Sequence, residues 1–406
     1  MIKVCMISHK ANYLEPRARR YVEALAEAGV EVDVLCLREP NLPFPKQRSG
    51  VRVFTIPLSH GSRRGRIHLL QYGAAFILFT AWLLALYIRN RYQVIHVNNM
   101  PDFLVFTALI PRIFGAKLIL DIHDPMPEFY MSKYKSQTNS TAVRLVRGQE
   151  KLSSMLAHAV ITANSNFSDN LVKRGMPADK ITVVNNVPDP KVFNRSGYRK
   201  ECRSKSKHFT LIYPGTIAPR YGLDVAIRAL PQLITRIPQL RLVIIGSQVE
   251  HVNELATLAE QLGVSSFVQF KPIIPVDEVP RHIVQADVGI YPALPDPHMN
   301  IATPAKVLEY AVMGIPIIAS RLKVLEDLFT DSALMFFDLG NADQFARCVL
   351  ELFESPARRD ELVQNADSIF VRTHSWSDER QAYFNVLNRL LAPRAAVVAL
   401  DERDES

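Results

Sequence analysis

Residues 303–320 hold a cation and a carboxylate close together. Lys306 and Glu309 are three positions apart, so on a helix they lie on the same face. Lys306 and the free N–H groups of a helix start are suited to a diphosphate, and Glu309 is suited to accept hydrogen bonds from ribose hydroxyls. Gly314 fits a left-handed helix stop, and Ile315 begins an apolar run typical of a buried parallel strand. The alternative is a surface ion pair on an ordinary helix.

A second group of ionisable side chains follows a strand-like run. Asp121, His123, Asp124 and Glu128 lie within eight positions, and polar groups at the carboxyl end of a parallel strand face the ligand side of the sheet. His123, with Asp124 beside it, is a candidate to donate to a sugar hydroxyl or to a developing negative charge. The prolines in this group predict an extended loop. Structural hydrogen bonding is the alternative, and a metal site is disfavoured because no second histidine has ligand spacing.

A third segment, Tyr213–Gly222, follows another strand-like run. Gly215 allows close approach of the backbone to a ligand, Thr216 offers a hydroxyl, and Arg220 is able to form paired hydrogen bonds with phosphate oxygens. Gly246 ends a further strand-like run, as expected at the edge of a nucleotide-binding sheet.

Three more residues complete the candidate donor site. Lys271 begins a proline-bounded loop that could border a base, and Pro304 and Val307 flank Lys306. An acidic DxD motif is missing from every predicted strand end, so we expect no obligatory metal and no other cofactor.

Length and composition limit the possible classes. The 406 residues suffice for two domains. A net charge of +8, from 48 basic and 40 acidic residues, indicates an anionic ligand or surface, without the signature of a nucleic-acid-binding protein. Four cysteines without CxxC spacing give no zinc or redox motif. The apolar part of MIKVCMISHK is too short for a signal peptide. We therefore predict a cytoplasmic location.

Strands alternate with helices along most of the chain, which predicts an α/β fold with parallel, doubly wound sheets. Helices are expected over 102–114 and 276–285. Residues 195–208 interrupt the alternation and are mostly polar and basic. The pattern predicts domains at 1–194 and 209–374, a linker at 195–208, a C-terminal helix at 375–394 and a tail at 395–406.

Leu69–Ile88 is a charge-free apolar run with arginines on both sides. Its length permits a membrane span, but the strands predicted before and after it should belong to one sheet, which excludes a single crossing. Two interpretations remain. The helix covers the sheet, or it lies in the membrane surface, with Phe76, Phe79, Trp82 and Tyr87 entering the bilayer and arginines meeting anionic headgroups.

The order and spacing of these segments resemble family 4 glycosyltransferases, which have the GT-B fold. The matching segments span most of the chain: DIHDPMPE at Asp121–Glu128, the pattern from Ser165 to Phe193, GTIAPRYGLD at Gly215–Asp224, PAKVLEYAVMGIPIIAS at Pro304–Ser320, and SW at Ser375–Trp376. The resemblance implies two Rossmann-like domains facing a central cleft, with a C-terminal helix that crosses back to the first domain.

The resemblance also implies an activity and residue roles. A member of this family transfers a sugar from a nucleoside-diphosphate sugar to an acceptor, with retention of anomeric configuration. By position, Glu309 matches the glutamate that binds the ribose, and Arg220 and Lys306 would stabilise the departing diphosphate. His123 matches the histidine near the transferred sugar, and the backbone of Phe270–Ile273 would meet the base.

The sequence departs from the family pattern at several positions. Ile301 occupies the place of the first glutamate of the E-x7-E motif, so sugar contacts are expected from His298 or Asn300. Tyr221 occupies the place of a lysine, so Arg220 would act from one residue earlier. The segment Ser8–Pro16 also has no glycine.

The leading hypothesis is a glycosyltransferase that builds a polysaccharide or glycolipid on a lipid-linked acceptor, bound peripherally to the inner face of the cell membrane. A sugar-nucleotide epimerase of similar architecture and a non-catalytic nucleotide-sugar-binding regulator are the alternatives. A dinucleotide-dependent dehydrogenase is disfavoured, because no GxGxxG motif follows a predicted strand.

Overall fold

The structure, a computed structural model, describes residues 2–11, 15–38, 49–58, 66–198, 207–246 and 249–391. The chain forms two units. Unit 1 comprises Met1–Asn186 and Ser377–Ser406, and unit 2 comprises Val187–Trp376. The first division therefore falls eight residues before the boundary predicted from the sequence.

Within the described residues, unit 1 contains a seven-stranded parallel sheet of order β3-β2-β1-β4-β5-β6-β7. Its strands are β1 (Lys3–Ala11), β2 (Glu31–Leu37), β3 (Val51–Ile56), β4 (Val94–Asn98), β5 (Lys117–Ile122), β6 (Ala159–Thr162) and β7 (Ile181–Val183). The central strands are almost wholly buried, as continuous apolar runs require when helices cover both faces of a sheet.

Helices connect these strands. They are α1 (Pro16–Glu27), α2 (Arg66–Asn90), α3 (Leu109–Ile113), α4 (Met126–Tyr134), α5 (Thr141–Leu156) and α6 (Ser165–Lys173). Side-chain caps fix two of the helix starts. The Ser140 hydroxyl accepts from the Val143 N–H, and the side-chain Oδ1 of Asn164 accepts from the Phe167 N–H.

Two local predictions in unit 1 were wrong. The predicted helix over 102–114 begins as a 3₁₀ helix, Asp102–Ala108, and becomes α3 only at Leu109. The proline-rich loop after β5 is not extended beyond Pro125, because α4 begins at Met126. Pro127 falls in the first turn of α4, where its missing N–H leaves no helical hydrogen bond unmade.

Within the described residues, unit 2 contains a six-stranded parallel sheet of order β10-β9-β8-β11-β12-β13. Its strands are β8 (Phe209–Pro214), β9 (Leu240–Ile245), β10 (Val268–Lys271), β11 (Val288–Tyr291), β12 (Ile317–Ser320) and β13 (Met335–Phe337). The sheet reverses its strand order at β8, between β9 and β11. In open α/β sheets, ligands bind beyond the carboxyl ends of the strands at such a point.

The helices of unit 2 are α7 (Leu223–Ile234), α8 (Val249–Gln261), α9 (Val279–Val284), α10 (Ala305–Met313), α11 (Lys323–Glu326), α12 (Ala342–Glu354) and α13 (Pro356–Ala366). The helix predicted over 276–285 is shorter, because a 3₁₀ turn, Val276–Glu278, precedes α9.

The C-terminal helix α14 (Trp376–Leu391) returns to unit 1 from Ser377 onward. Tyr383 stacks on Tyr21 with ring centroids 4.3 Å apart, and its hydroxyl lies 3.1 Å from His96 Nδ1. The Glu379 carboxylate accepts from the Asn185 backbone N–H at 2.6 Å. The predicted crossing of the C-terminal helix to the first domain is confirmed.

The predicted linker is partly a structural element of unit 2. Arg195 opens a 3₁₀ helix, Arg195–Tyr198, and its guanidinium donates to both Asp367 oxygens, at 2.9 and 2.7 Å. It also donates to the backbone carbonyls of Ala311 and Val312. The rest of the linker, apart from its last two residues, and the tail at 395–406 lie outside the described residues.

The apolar helix α2 has one buried and one exposed face. Its buried side chains are Ala75, Phe79, Leu83, Leu86 and Tyr87. The prediction that Phe79 and Tyr87 enter a bilayer was therefore wrong, because both pack against the sheet. By length and composition Leu70–Asn90 is able to cross a membrane. The strands on either side of it, β3 and β4, belong to one sheet, as predicted.

Candidate functional site

A pocket of ≈ 330 Å³ opens in unit 2 beyond the carboxyl ends of β8 and β9. Five chain segments surround it. The lining residues are Phe193, Pro214, Gly215, Thr216, Ile245, Gly246, Ile273, Ile274, Val276, Val279, Ala305, Lys306 and Glu309. Five residues of the predicted donor site therefore come together here: Gly215, Thr216, Gly246, Lys306 and Glu309.

The start of α10 supplies the polar side of this pocket. Pro304 is the extended N-cap residue, and Ala305 and Lys306 form the first turn. The first amide N–H groups of a helix have no partner within it and carry partial positive charge. Gly314 ends α10 in the left-handed conformation at φ 71°, as predicted. The helix thus presents an anion-binding end to the pocket.

Lys306 contacts aromatic rings. Its Nζ lies 5.1 Å from the ring centroid of Tyr213 and 4.9 Å from that of Tyr221. Among the described residues, no carboxylate pairs with this ammonium, so the alternative of a Lys306–Glu309 surface ion pair does not describe the structure. Burial lowers the pKa of Lys306, and the positive charge of Arg220 adds to the effect, while Tyr221 and Glu309 oppose it.

Two glycines make room for this arrangement. A Cβ at Gly215, which has φ 134°, would lie 2.3 Å from Lys306 Cε. A Cβ at Gly246 would lie 2.0 Å from the Gly215 carbonyl oxygen. The sequence suggested that Gly215 admits a ligand, whereas in the structure the Lys306 side chain uses the space beside it.

Three other residues predicted for the site lie in elements next to the pocket and do not line it. The Val307 side chain is fully buried in the hydrophobic core, and its assignment to the donor site stays a prediction. The Lys271 carbonyl accepts from the Gly246 N–H at 3.0 Å, which fixes the turn after β9. Arg220 lies in a 3₁₀ turn with Cζ 5.2 Å from the Tyr221 ring centroid.

His123 and Asp124 lie in unit 1, at the carboxyl end of β5. The Asn99 Oδ1 atom accepts from the backbone N–H groups of His123 and Asp124, at 3.1 and 3.3 Å. Asn99 Nδ2 donates to the Asp124 carbonyl at 2.6 Å. Glu128 is buried and pairs with Arg174. Its predicted place among ligand-facing groups was therefore wrong.

The His123 ring lies between two carboxylates. Nε2 is 2.6 Å from Glu15 Oε1, and Nδ1 is 4.0 Å from Asp121 Oδ1. Burial alone would lower the pKa of His123, but the charges of Glu15, Asp121 and Asp124 outweigh it and raise that pKa to about 9. His123 is therefore an imidazolium at neutral pH.

A buried ion pair lies beside this histidine. Arg17 Nε donates to Asp121 Oδ2 at 2.8 Å, and both side chains are buried. Burial would raise the pKa of Asp121, but the charges of Arg17 and His123 hold it below its usual range. Asp121 is thus ion-paired with Arg17, and this pair orients the end of β5 that carries His123.

Glu15, Tyr213 and Tyr221 were not predicted to be site residues. Glu15 is distant in sequence from His123, and its one local signal is its position before Pro16 at the start of α1. Tyr213 and Tyr221 flank the glycine segment, where a tyrosine in place of a family lysine was a usable signal.

Two family models match consecutive parts of this chain. The model described as "Glycosyl transferase 4-like domain" matches residues 14–187, and "Glycosyl transferases group 1" matches residues 194–368. The chain belongs to the group 1 glycosyltransferases of family 4. This glycosyltransferase is therefore an enzyme with two Rossmann-like domains of the GT-B type.

Named relatives of this glycosyltransferase act on different acceptors. It is 36% identical over 149 residues to a GDP-mannose-dependent alpha-(1-6)-phosphatidylinositol monomannoside mannosyltransferase of Mycolicibacterium smegmatis, covering 35% of this chain and 38% of that protein. It is 23% identical over 360 residues to a D-inositol 3-phosphate glycosyltransferase of Thermobispora bispora, covering 85% of this chain and 82% of that protein.

Solved structures share the fold. Sucrose-phosphate synthase from Thermosynechococcus elongatus superposes with a TM-score of 0.78 at 18% identity, covering 97% of this chain and all of that chain. Anabaena HepE in complex with UDP and glucose superposes with a TM-score of 0.68 at 16% identity, covering 95% of this chain and 99% of that chain. Of the activities that the sequence left open, family membership selects glycosyl transfer.

Proposed function

We propose that this glycosyltransferase binds a nucleoside-diphosphate sugar in the unit 2 pocket and transfers the sugar, with retention, to a lipid-linked acceptor. The product would belong to a polysaccharide or a glycolipid. The observation that carries the proposal is the placement of Lys306 and Glu309 on the first turns of α10, both lining one pocket.

The charges of the pocket suit a diphosphate leaving group. The ammonium of Lys306 and the first N–H groups of α10 supply positive charge without a metal ion. Glu309, one turn later, is placed to accept from the ribose hydroxyls. Ile273 and Ile274 give the pocket an apolar wall suited to a base.

Guanine and uracil are the two candidates for the base of the donor nucleotide. The mycobacterial relative is named GDP-mannose-dependent, and the Anabaena structures hold UDP or UDP-glucose. We therefore expect either GDP or UDP to be the nucleotide. We also propose that His123, a residue of unit 1, acts on the transferred sugar, as the family resemblance implies.

The proposed acceptor class depends on an exposed apolar surface. On the outer face of α2, Leu70 is 73% exposed, Ile77 67% and Ile88 60%, and Trp82 is also exposed. Large exposed apolar patches mark surfaces that bind a protein or a membrane.

Two neighbouring helices carry further exposed apolar side chains. The Tyr87 hydroxyl donates to the Phe114 carbonyl at 3.1 Å, and Arg112 Nε donates to the Leu156 carbonyl at 3.0 Å. These bonds join α2, the end of α3 and the end of α5. The exposed apolar side chains of α3, α5 and the residue after α3 are Leu109, Ile110, Ile113, Phe114, Leu145, Leu152 and Met155.

The exposed charges of this region are positive. Arg89, Arg91, Arg144 and Lys151 are exposed. The acidic residues between positions 66 and 158 are four buried ones and the partly buried Asp124; the buried ones are Asp102, Asp121, Glu128 and Glu150. Apolar side chains framed by cations fit an anionic bilayer. We propose peripheral attachment at the cytoplasmic face of the cell membrane.

A transfer assay tests the enzymatic part. Purified protein would be incubated with UDP- or GDP-sugars and membrane lipid extract, with and without EDTA. We expect release of nucleoside diphosphate that requires the lipid extract and persists in EDTA. Consumption of donor without any acceptor would contradict the proposal and indicate epimerase or hydrolase chemistry.

Sedimentation with vesicles tests the membrane part. We expect the protein to pellet with phosphatidylglycerol-containing vesicles at low salt and to remain in solution with phosphatidylcholine alone. The triple substitution Ile77→Ser, Trp82→Ser, Ile88→Ser should abolish pelleting, whereas Val172→Ser, an exposed apolar residue of α6, should not. A wild type that never pellets would overturn this part.

A further inference from the structure

Two tyrosine rings surround the ammonium of Lys306. Nζ lies 5.1 Å from the Tyr213 centroid and 4.9 Å from the Tyr221 centroid, and the two rings are 6.1 Å apart at an angle of 52°. Both distances fall within the range of a cation–π contact. The ammonium therefore has two aromatic neighbours. No carboxylate of the described residues forms a salt bridge with it, and Glu309, one turn along α10, acts on it only through its charge.

The surrounding fold fixes both rings. Tyr213 is fully buried at the end of β8, and its hydroxyl donates to the Thr216 carbonyl at 2.8 Å. Tyr221 precedes Gly222, whose φ is 60° and whose added Cβ would lie 2.0 Å from the Pro292 carbonyl oxygen. The turn that carries Tyr221 is thus held against the chain after β11 without room for a side chain at position 222.

Tyr221 also contacts a second cation. Arg220 Cζ lies 5.2 Å from the centroid of the same ring. The electron-rich face of an aromatic ring attracts cations without carrying a charge. Tyr221 therefore holds two positive side chains close together, and it does so without neutralising either of them.

We propose that Tyr213 and Tyr221 are positioning residues that hold Lys306 at the pocket in a charged state free of an ion pair, ready for the diphosphate. The inference rests on the proposed function, because it assigns the diphosphate of the donor as the ligand of Lys306.

Aromatic rings affect the ammonium of Lys306 differently from a carboxylate. A carboxylate partner would compete with the diphosphate for the ammonium, and its negative charge would repel the ligand. A ring leaves the full charge available, and a charge-assisted hydrogen bond to phosphate is stronger than the cation–π contact that it joins. Gly215 contributes by leaving space for the lysine stem.

Replacement of Tyr221 by phenylalanines with increasing fluorination tests the contact. Fluorine withdraws electron density from the ring face at nearly constant shape, so folding is preserved while the attraction for a cation falls. Calorimetry with UDP or GDP compares each fluorinated ring with Tyr221→Phe, which keeps the ring face but removes the hydroxyl that hydrogen-bonds to Arg220. Affinity should then fall stepwise with fluorination, by about tenfold in total.

The matched control is Tyr134, an exposed tyrosine of unit 1 whose ring centroid lies 5.5 Å from Lys133 Nζ. The same fluorinated series there should leave nucleotide affinity unchanged. Equal nucleotide affinity across the Tyr221 series would overturn the inference, and so would an equal decline at Tyr134.

A second measurement needs no ligand. Lysine side chains labelled by reductive ¹³C-methylation would be observed by NMR, and the Lys306 signal assigned from its loss in Lys306→Arg. Ring currents should shift this signal upfield in the wild type and in Tyr221→Phe, and less so in Tyr221→Leu. An unshifted wild-type signal would overturn the inference. Failure of the wild type to bind UDP and GDP would instead overturn the proposed function, and the NMR shift distinguishes the two.

Discussion

His123 Nε2 lies 2.6 Å from Glu15 Oε1, and both side chains are nearly buried. The histidine that we propose acts on the transferred sugar therefore donates its Nε2 proton to a carboxylate of the same unit. Glu15 holds the imidazole in one orientation and keeps it protonated, so the pair behaves as a fixed positive and negative charge at the carboxyl edge of the unit 1 sheet.

The first prediction concerns stability and pH. The pKa of His123 is raised from 6.5 to about 9 in the folded protein, so the stabilisation from its ion pair is complete below about pH 6.5 and is lost as the pH rises through about 9. We expect Glu15→Gln to lower the free energy of unfolding by about 2 kcal/mol at neutral pH, with a smaller difference at about pH 10.

Urea denaturation at the two pH values measures this difference. The control is Glu354→Gln, which removes the exposed Arg236–Glu354 pair and should change stability by less than about 1 kcal/mol at either pH. A Glu15→Gln effect that grows with pH would show that His123 is not the group involved.

The second prediction separates catalysis from donor binding. His123→Ala should lower kcat of transfer by about 10²-fold, because a positioned charge or proton donor is lost. The affinity for UDP or GDP should remain within about twofold, because the pocket of unit 2 is untouched. Steady-state kinetics and calorimetry on the same preparation check both. Loss of nucleotide binding in His123→Ala would refute its assigned role.

The third prediction concerns the glycines of the pocket. Gly246→Ala should abolish nucleotide binding and lower Tm, because its Cβ would lie 2.0 Å from the Gly215 carbonyl oxygen. The comparison is Gly148→Ala in the middle of α5, where a Cβ meets nothing within 4 Å. That change should leave binding intact and raise stability by up to about 1 kcal/mol. Normal nucleotide binding by Gly246→Ala would disprove the close packing described here.

Much of the fold was predictable because parallel sheets leave a strong pattern. Strands such as β11 and β12 are short, mostly apolar runs between helices, and Gly314 marks a helix end. The two faces of α2 were not predictable, because the helix is apolar all round and only its packing on the sheet separates Phe79 from Ile77. The extended loop predicted from Pro125 and Pro127 was wrong because proline suits the first turn of a helix as well as a loop.

The candidate site was predictable only where its residues are neighbours in sequence. Lys306 and Glu309 share one helix face, so their spacing was sufficient. The partners of His123 and Lys306 come from other elements, brought together by sheet topology, and a single sequence records no such contacts. Val307 was included for its position in the motif, although an apolar residue there belongs to the core.

The central claim is that Lys306 binds the diphosphate and Glu309 the ribose of a sugar nucleotide. Calorimetric titration of nucleosides and of their diphosphates into the wild type, Lys306→Ala and Glu309→Ala tests it most directly. We predict that Lys306→Ala weakens the binding of UDP or GDP by about 10- to 100-fold and leaves the binding of uridine or guanosine unchanged. Glu309→Ala should weaken the binding of the nucleoside and of its diphosphate by the same factor. Equal diphosphate affinity in all three proteins would contradict the account.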